Sequence, residues 1–181
     1  MKNLTFITGN QAKADELSLH LGYNLNHQKL DLPEIQSLSL EEVTTEKANA
    51  AYTKLHSPVL VEDTSLEFEA LNGLPGPLIK WFLQSIDNEG LLKILTPYEN
   101  RSAKAEVCFA LHNGNEVLLF KGSINGIISN EVKGTNGFGW DPIFIPNGET
   151  KTWAEMTSEE KKETSMRKEP LAKLKEYLAT L

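Results

Sequence analysis

The sequence has little cysteine, no long apolar run and no excess of positive charge, and each absence excludes a class of protein. Its 181 residues include one cysteine, Cys108, so no internal disulfide can form. The apolar run 107–111 around it favours a buried, inert thiol over a nucleophile. No run approaches the roughly 18 apolar residues of a membrane span, and no basic region with a cleavage site opens the chain. We therefore expect a cytoplasmic protein that is not bound to a membrane.

The charge balance limits the partners further. Lysine and arginine number 18 against 25 acidic residues, a formal net charge of −7. This argues against sequence-independent binding of nucleic acid, although a local basic pocket is compatible with it. The four histidines lie outside the motifs below and lack metal-ligand spacing, so a zinc site or a histidine-based triad is not expected. The length suits one domain over 1–181.

Apolar runs and capping residues predict alternating strands and helices in the first half of the chain. In order, we predict a strand over 4–7, a helix over 11–21, a weaker strand over 25–30, a helix over 39–56, a strand over 58–61 and helical sequence over 78–95. Asn10 and Gly22 bound the first helix. Ser39 and Glu42 match a capping box. The strand over 58–61 is expected to end at two acids.

The second half reads as a meander. We predict strands over 103–111, 116–121, 123–131 and 142–145, followed by two C-terminal helices, the second beginning near Pro170. Asn113 and Gly114 between the first two strands are a strong hairpin signal. Strand–helix alternation followed by a meander predicts an α/β fold with a mixed sheet.

Thr8, Gly9 and Asn10 end the first strand, and Lys13 lies one turn into the helix. Free N–H groups and the helix dipole favour an anion at such a junction, and Gly9 allows a phosphate to approach the backbone. The alternative is a plain capped turn with a solvated lysine. The segment is neither a P-loop nor a dinucleotide-binding turn.

Three acids form the second candidate: Glu34 after a Leu-Pro step, and the adjacent Glu62 and Asp63. Carboxylates suit Mg²⁺, which takes one or two protein oxygens together with substrate phosphates and water. The alternative is acids that are merely solvated. The Gly/Pro-rich segment 73–77 then leads to Lys80, which could contact a phosphate.

Glycines around two aromatics mark the third candidate, Phe138-Gly139-Trp140-Asp141. A tight turn there can present a flat face to a base, and Asp141 could contact a ribose or a base edge. The alternative is a turn whose aromatics pack in the core.

The fourth candidate is Lys161 with Ser165, Met166 and Arg167, which we place on one helix, so that Lys161 and Ser165 share a face. Arg167 has a donor fork suited to carbonyl or phosphate oxygens. The alternative is a solvated, charged helix.

These segments, in this order, resemble the inosine triphosphate pyrophosphatase family, and more closely its eukaryotic branch. The blocks are Thr8-Gly9-Asn10 with Lys13, Asp31-Leu32-Pro33-Glu34, Val59-Leu60-Val61-Glu62-Asp63-Thr64, Gly73-Leu74-Pro75-Gly76-Pro77, Ile79-Lys80-Trp81-Phe82, Phe138-Gly139-Trp140-Asp141-Pro142 and Ala154-Glu155-Met156. The resemblance implies an elongated, two-lobed α/β fold around a long mixed sheet, with the nucleotide in the cleft and a homodimer as the assembly. It also implies hydrolysis of non-canonical purine nucleoside triphosphates (ITP, dITP, XTP).

The resemblance implies the following roles. Thr8 to Lys13 bind the triphosphate; Glu34 and Asp63 hold Mg²⁺; Asp63, aided by Glu62, is the base for the attacking water; Lys47, Lys80 and Lys161 neutralise phosphate charge; Phe138, Gly139, Trp140 and Asp141 position the nucleoside; Arg167 contacts the 6-keto edge of the base. The expected products are the monophosphate and pyrophosphate.

Met166 departs from the family, which has histidine there. Methionine donates no hydrogen bond, so selection for a 6-keto purine should weaken, and Met166→His should favour inosine over adenosine triphosphate. The alternatives are a pyrophosphatase of relaxed base specificity, a relative acting on modified pyrimidine nucleotides, and a non-catalytic nucleotide-binding module.

Overall fold

The computed structural model describes residues 4–9 and 11–180, with the backbone alone at 12 and 16. Its strands and helices, in chain order, are β1 (Thr5–Ile7), α1 (Gln11–Leu21), β2 (Asn26–Gln28), α2 (Leu40–Leu55), β3 (Val59–Phe68), β4 (Pro75–Gly76), α3 (Ile79–Ile94), β5 (Ser102–His112), β6 (Val117–Ile128), β7 (Phe144–Pro146), α4 (Ser158–Glu163) and α5 (Lys168–Ala179). None of the helices within these ranges is long and apolar enough to cross a membrane.

Within the described residues, seven strands form one mixed sheet in the order β2-β1-β3-β5-β6-β7, with β4 beside β3. β1 runs parallel to β2 and β3, whereas β4 is antiparallel to β3 and β7 is antiparallel to β6. The predicted α/β fold with a mixed sheet is therefore confirmed.

The chain divides into two compact units, the first of residues 1–63, 107–122 and 169–181 and the second of 64–106 and 123–168. In the first unit, Ala48 and Ala51 of α2 are buried with Val59 and Val61 of β3 and with Ala110 of β5. In the second, the rings of Phe144 and Trp153 pack with centroids 4.5 Å apart. The single two-lobed domain and its nucleotide cleft stay predictions.

The prediction that the strand after Pro58 ends at two acids is wrong. β3 continues to Phe68, because Leu66 and Phe68 are buried and the Gly/Pro segment supplies a partner strand. The short β4 pairs through Gly76 with Leu66 and through Pro75 with Glu67. Glu62 and Asp63 consequently lie in the middle of a strand rather than at its mouth.

Two strands predicted over 116–121 and 123–131 are one strand, β6. Gly122 does not interrupt it, because β6 has a neighbouring strand on each side, β5 and β7. The predicted hairpin turn is confirmed: the Asn113 side-chain oxygen accepts the N–H groups of Asn115 and Glu116, and Gly114 has a φ of 105°.

Helix α1 has the predicted bounds, and Gly22, with a φ of 61°, follows it; Asn10 lies outside the described residues. Ser39 caps α2 by accepting the Glu42 N–H, but the Glu42 carboxylate accepts from the Ser37 hydroxyl, so the capping box is half formed.

The predicted helix that carries both Lys161 and Ser165 is wrong. Helix α4 ends at Glu163, so Ser165, Met166 and Arg167 lie in the turn before α5. None of the residues of α4 is buried, and a helix without an apolar face gains little from lengthening.

Candidate functional site

Lys47 joins the two acids predicted as metal ligands. Its Nζ lies 2.6 Å from Asp63 Oδ1 and 3.3 Å from Glu34 Oε1. The packing of Ala48 beneath β3 brings α2 and Lys47 to this position. Lys47 and Asp63 are each 17% exposed, so water screens their attraction only in part. The structure thus brings together three predicted site residues that lie far apart in the sequence.

Burial raises the pKa of Asp63 above its usual value, although the Lys47 ammonium opposes this shift. Burial also acts to lower the pKa of Lys47, but the carboxylates of Asp63 and Glu34 outweigh it and the pKa is raised. Lys47 is therefore a cation at neutral pH. The second oxygen of Asp63, Oδ2, is buried and has no hydrogen-bond partner among the described residues. An unsatisfied buried acceptor of this kind is costly and suits a site that receives a ligand.

The neighbouring acid, Glu62, is paired elsewhere. Its carboxylate lies 3.0 Å from the Nζ of Lys13, and its side chain is 4% exposed. Lys13 thus points from α1 to an acid in the middle of β3, a pairing that was not predicted. The N–H of Thr8 donates to the carbonyl of Gln28. This N–H is therefore already used in a hydrogen bond between the chain segments of β1 and β2.

Gly9 has a neighbour that the sequence reasoning missed. A Cβ at Gly9 would lie 3.1 Å from Cδ of Lys29, so the lysine stem packs against the backbone there. Lys29 directly follows β2, which pairs in parallel with β1, whereas the strand predicted over 25–30 placed this lysine inside the strand. The carboxyl ends of parallel strands meet at one edge of a sheet.

The third candidate, in the second unit, is a tight turn held by the Asp141 carboxylate. Its Oδ2 accepts a hydrogen bond from the Phe138 N–H at 2.8 Å. The same oxygen forms an ion pair with the Nζ of Lys161 at 2.5 Å. A Cβ at Gly137, where φ is 79°, would lie 2.0 Å from the same oxygen. Trp140 and Asp141 are buried, whereas Phe138 is 65% exposed. Phe138 is therefore the aromatic ring that this turn presents.

Lys161, on helix α4, packs against this turn. Its Nζ lies 5.3 Å from the ring centroid of Phe138 and 5.6 Å from that of Trp153, both within cation–π range. The indole N–H of Trp153 donates to Thr164 Oγ1 at 3.0 Å, which ties α4 to this aromatic group. Trp153 is a second residue that the sequence reasoning missed, since nothing local distinguishes it from a core tryptophan.

The remaining predicted residues are Met166, Arg167 and Lys80. Met166 is 3% exposed, so a nucleobase could contact its side chain only if neighbouring groups moved. The N–H of Arg167 donates to Ser165 Oγ at 3.2 Å. Lys80 lies in the first turn of α3, with its Nζ 5.0 Å from the Trp81 ring centroid.

Comparison with known proteins identifies the family. The profile of the Ham1 family matches residues 4–177. A protein of Yarrowia lipolytica named inosine triphosphate pyrophosphatase is 47% identical, over 98% of this chain and 96% of its own. One of the same name from Ajellomyces capsulatus is 45% identical, over 99% and 98% of the two chains.

Two solved structures are similar in fold. The Staphylococcus aureus Ham1 protein has a TM-score of 0.85 at 28% identity, over 99% of both chains. A nucleoside-triphosphatase, or dITP/XTP pyrophosphatase, of Mycobacterium abscessus has a TM-score of 0.76 at 31% identity, over 95% of this chain and 98% of its own. The chain belongs to the Ham1 family, and the resemblance to the inosine triphosphate pyrophosphatases is confirmed.

Proposed function

We propose that this protein hydrolyses non-canonical purine nucleoside triphosphates, with ITP, dITP and XTP as preferred substrates, to the monophosphate and pyrophosphate, and so removes them from the nucleotide pool. One observation carries the proposal: a lysine lies between two carboxylates, Glu34 and Asp63, and one of these has a buried oxygen without a partner. This arrangement suits a metal-bound polyphosphate. The names of the relatives support the substrate class.

The donor set fits a divalent cation, which we propose to be Mg²⁺. Glu34 and Asp63 provide hard oxygen ligands, and the unpartnered Oδ2 of Asp63 is open to a further bond. A bound metal would polarise a phosphate oxygen and lower the pKa of a water molecule. Lys47 bridges the two carboxylates and would turn to the phosphates of the substrate. Lys80 is also proposed to contact a phosphate.

Asp63 is the better candidate for the base. Burial raises its pKa, which brings a carboxylate closer to the range that general base catalysis needs. Glu62 is held by Lys13 at 3.0 Å, so its role would be to position this lysine. Thr8, Gly9, Asn10 and Lys13 are proposed to bind the triphosphate.

The turn at Phe138 is proposed to bind the nucleoside. Its exposed ring can stack on a base, and the Lys161 ammonium, which lies over that ring at 5.3 Å from its centroid and pairs with Asp141, supplies hydrogen-bond donors beside it. The position of Lys161 supports a role at the nucleoside rather than the phosphate role that the resemblance implies. Gly139, Trp140 and Arg167 are assigned to the same part of the substrate, and we expect a cytoplasmic homodimer.

One assay tests the proposal. The protein is incubated with Mg²⁺ and ITP, dITP, XTP, GTP, ATP or dCTP, and pyrophosphate and orthophosphate are measured. We expect pyrophosphate as the first product, fastest from the first three. Orthophosphate as the first product would overturn attack at the α-phosphorus, and nucleotide binding without turnover would indicate a binding module instead.

Asp63→Asn tests the assigned centre. We expect turnover to be lost while nucleotide binding stays measurable. Asp15→Asn is a matched control, because Asp15 accepts a hydrogen bond from Gln11 on the surface of α1; it should keep wild-type activity. Full activity of Asp63→Asn would exclude Asp63 as base or essential ligand.

A further inference from the structure

Helix α3 contains a kink that aims one side chain at a distant loop. Asp87 has φ 49° and ψ −163°, a conformation that residues with a Cβ adopt only at a cost. Its carboxylate accepts the N–H of Glu89 at 3.1 Å, so it caps the turn that follows the kink. The next residue, Asn88, donates from Nδ2 to the carbonyl of Gly139 at 2.9 Å.

The orientation of the Asn88 amide follows from chemistry. A backbone carbonyl only accepts, so the amide must present its NH₂ group to Gly139. Its oxygen, Oδ1, is then buried without a hydrogen-bond partner in the described part of the chain. A buried acceptor without a partner lowers the stability of the fold. The orientation that forms the bond to Gly139 is therefore adopted although it leaves Oδ1 unsatisfied.

Gly139 is the centre of the turn that presents Phe138. Other bonds fasten this turn from the opposite direction: the Asn136 N–H donates to the Ala154 carbonyl, and the Ala154 N–H donates to the Asp141 carbonyl. On the α3 side, Cδ1 of Leu83 lies 3.9 Å from where a Cβ at Gly139 would be. The side chain of Asn88 thus supplies a hydrogen bond from α3 to the turn.

We propose that Asn88 is a positioning residue for the turn 137–141. By holding the carbonyl of Gly139, it keeps the exposed ring of Phe138 in the orientation that stacks on the base. The effect on the nucleoside rests on the function proposed above, whereas the restraint of the turn does not.

Two measurements separate these claims. The first is amide hydrogen exchange of residues 137–141 in the free protein, which requires no activity. We expect about tenfold faster exchange in Asn88→Ala, the effect of losing one hydrogen bond. Asn88→Asp keeps the size of the side chain but replaces the donor by a carboxylate. We expect exchange in this variant to be at least as fast as in Asn88→Ala. Asn49→Ala removes an exposed bond to Glu46 on α2 and should leave the turn unchanged.

The second measurement divides KM from kcat. For Asn88→Ala we expect KM for ITP to rise about fivefold or more with kcat nearly unchanged, because the phosphate and metal groups are untouched. Inhibition by inorganic tripolyphosphate, which lacks a nucleoside, should be unaltered. Unchanged exchange would overturn the positioning role. Faster exchange with an unchanged KM would instead overturn the assignment of the nucleoside to this turn.

Discussion

Replacing Lys47 by methionine removes the cation between Glu34 and Asp63 but keeps a side chain of similar length. Breaking a buried ion pair by deleting one partner costs about 3–5 kcal/mol. Because Lys47 and Asp63 are each 17% exposed, screening reduces this cost, and we expect Lys47→Met to lose about 2–3 kcal/mol of unfolding free energy. In a chain of this size, the melting temperature should fall by about 4–12 °C.

The same variant should bind Mg²⁺ more tightly in the absence of nucleotide. In the wild type, a metal must compete with an ammonium group that lies 2.6 Å from Asp63 Oδ1. Without that group, two repelling carboxylates remain, and part of the lost stability should return on adding Mg²⁺. We expect about tenfold tighter binding, equivalent to about 1.4 kcal/mol, measured by calorimetric titration at neutral pH.

Lys54→Met is the matched control. Lys54 is also on α2, but its ammonium donates to the backbone carbonyl of Asp31 rather than to a carboxylate. Its Mg²⁺ affinity should equal that of the wild type. If Lys47→Met binds Mg²⁺ no more tightly than this control, then Glu34 and Asp63 do not hold the metal and the reasoning fails.

The pH dependence has a defined sign. The pKa of Lys47 is raised in the folded state from its usual 10.5, so its contribution is fully present below that value and is lost as pH rises through the raised pKa. The pKa of Asp63 is raised in the folded state from 3.8, so protonated Asp63 favours folding. This contribution is present in acid and is lost as the pH rises through the raised pKa. The stability difference between the wild type and Lys47→Met should therefore be largest around neutral pH and should shrink on both sides: in acid, where Asp63 takes up a proton, and in alkali, where Lys47 loses one.

Three further predictions concern the second unit and the core. Gly137→Ala should lose at least about 2 kcal/mol more stability in urea than Gly148→Ala, because both positions have positive φ but only the first would press a Cβ against Asp141; equal losses would show that this carboxylate moves aside. Met166→His should lower the melting temperature and leave the ITP-to-ATP ratio of kcat/KM unchanged, because position 166 is buried; a higher ratio would support the sequence-based expectation instead. Burial raises the pKa of the Cys108 thiol to about 11, so a thiol reagent at about pH 8 should modify it only on unfolding.

Much of the local structure was predictable because its signals are local. Gly22 ends α1 where its left-handed φ permits the chain to turn, and Asn113 with Gly114 builds the hairpin turn from neighbouring groups. The chemical groups of acids and lysines can also be identified from the sequence, so Asp63 was a candidate before its surroundings were known. The end of β3 was not predictable in this way, since Leu66 extends the strand only because β4 comes back to pair with it.

By itself, the sequence determined the α/β pattern, the family and the identities of the candidate groups. The contacts of these groups could be known from the fold alone: Lys47 pairs with Asp63, Lys161 lies over the ring of Phe138, and Met166 is buried. The physical reason is that capping, turn formation and periodicity act over a few residues, whereas ion pairing and burial depend on which distant segments pack together. The charge of Lys47 was visible in the sequence, but its setting between two carboxylates required the fold.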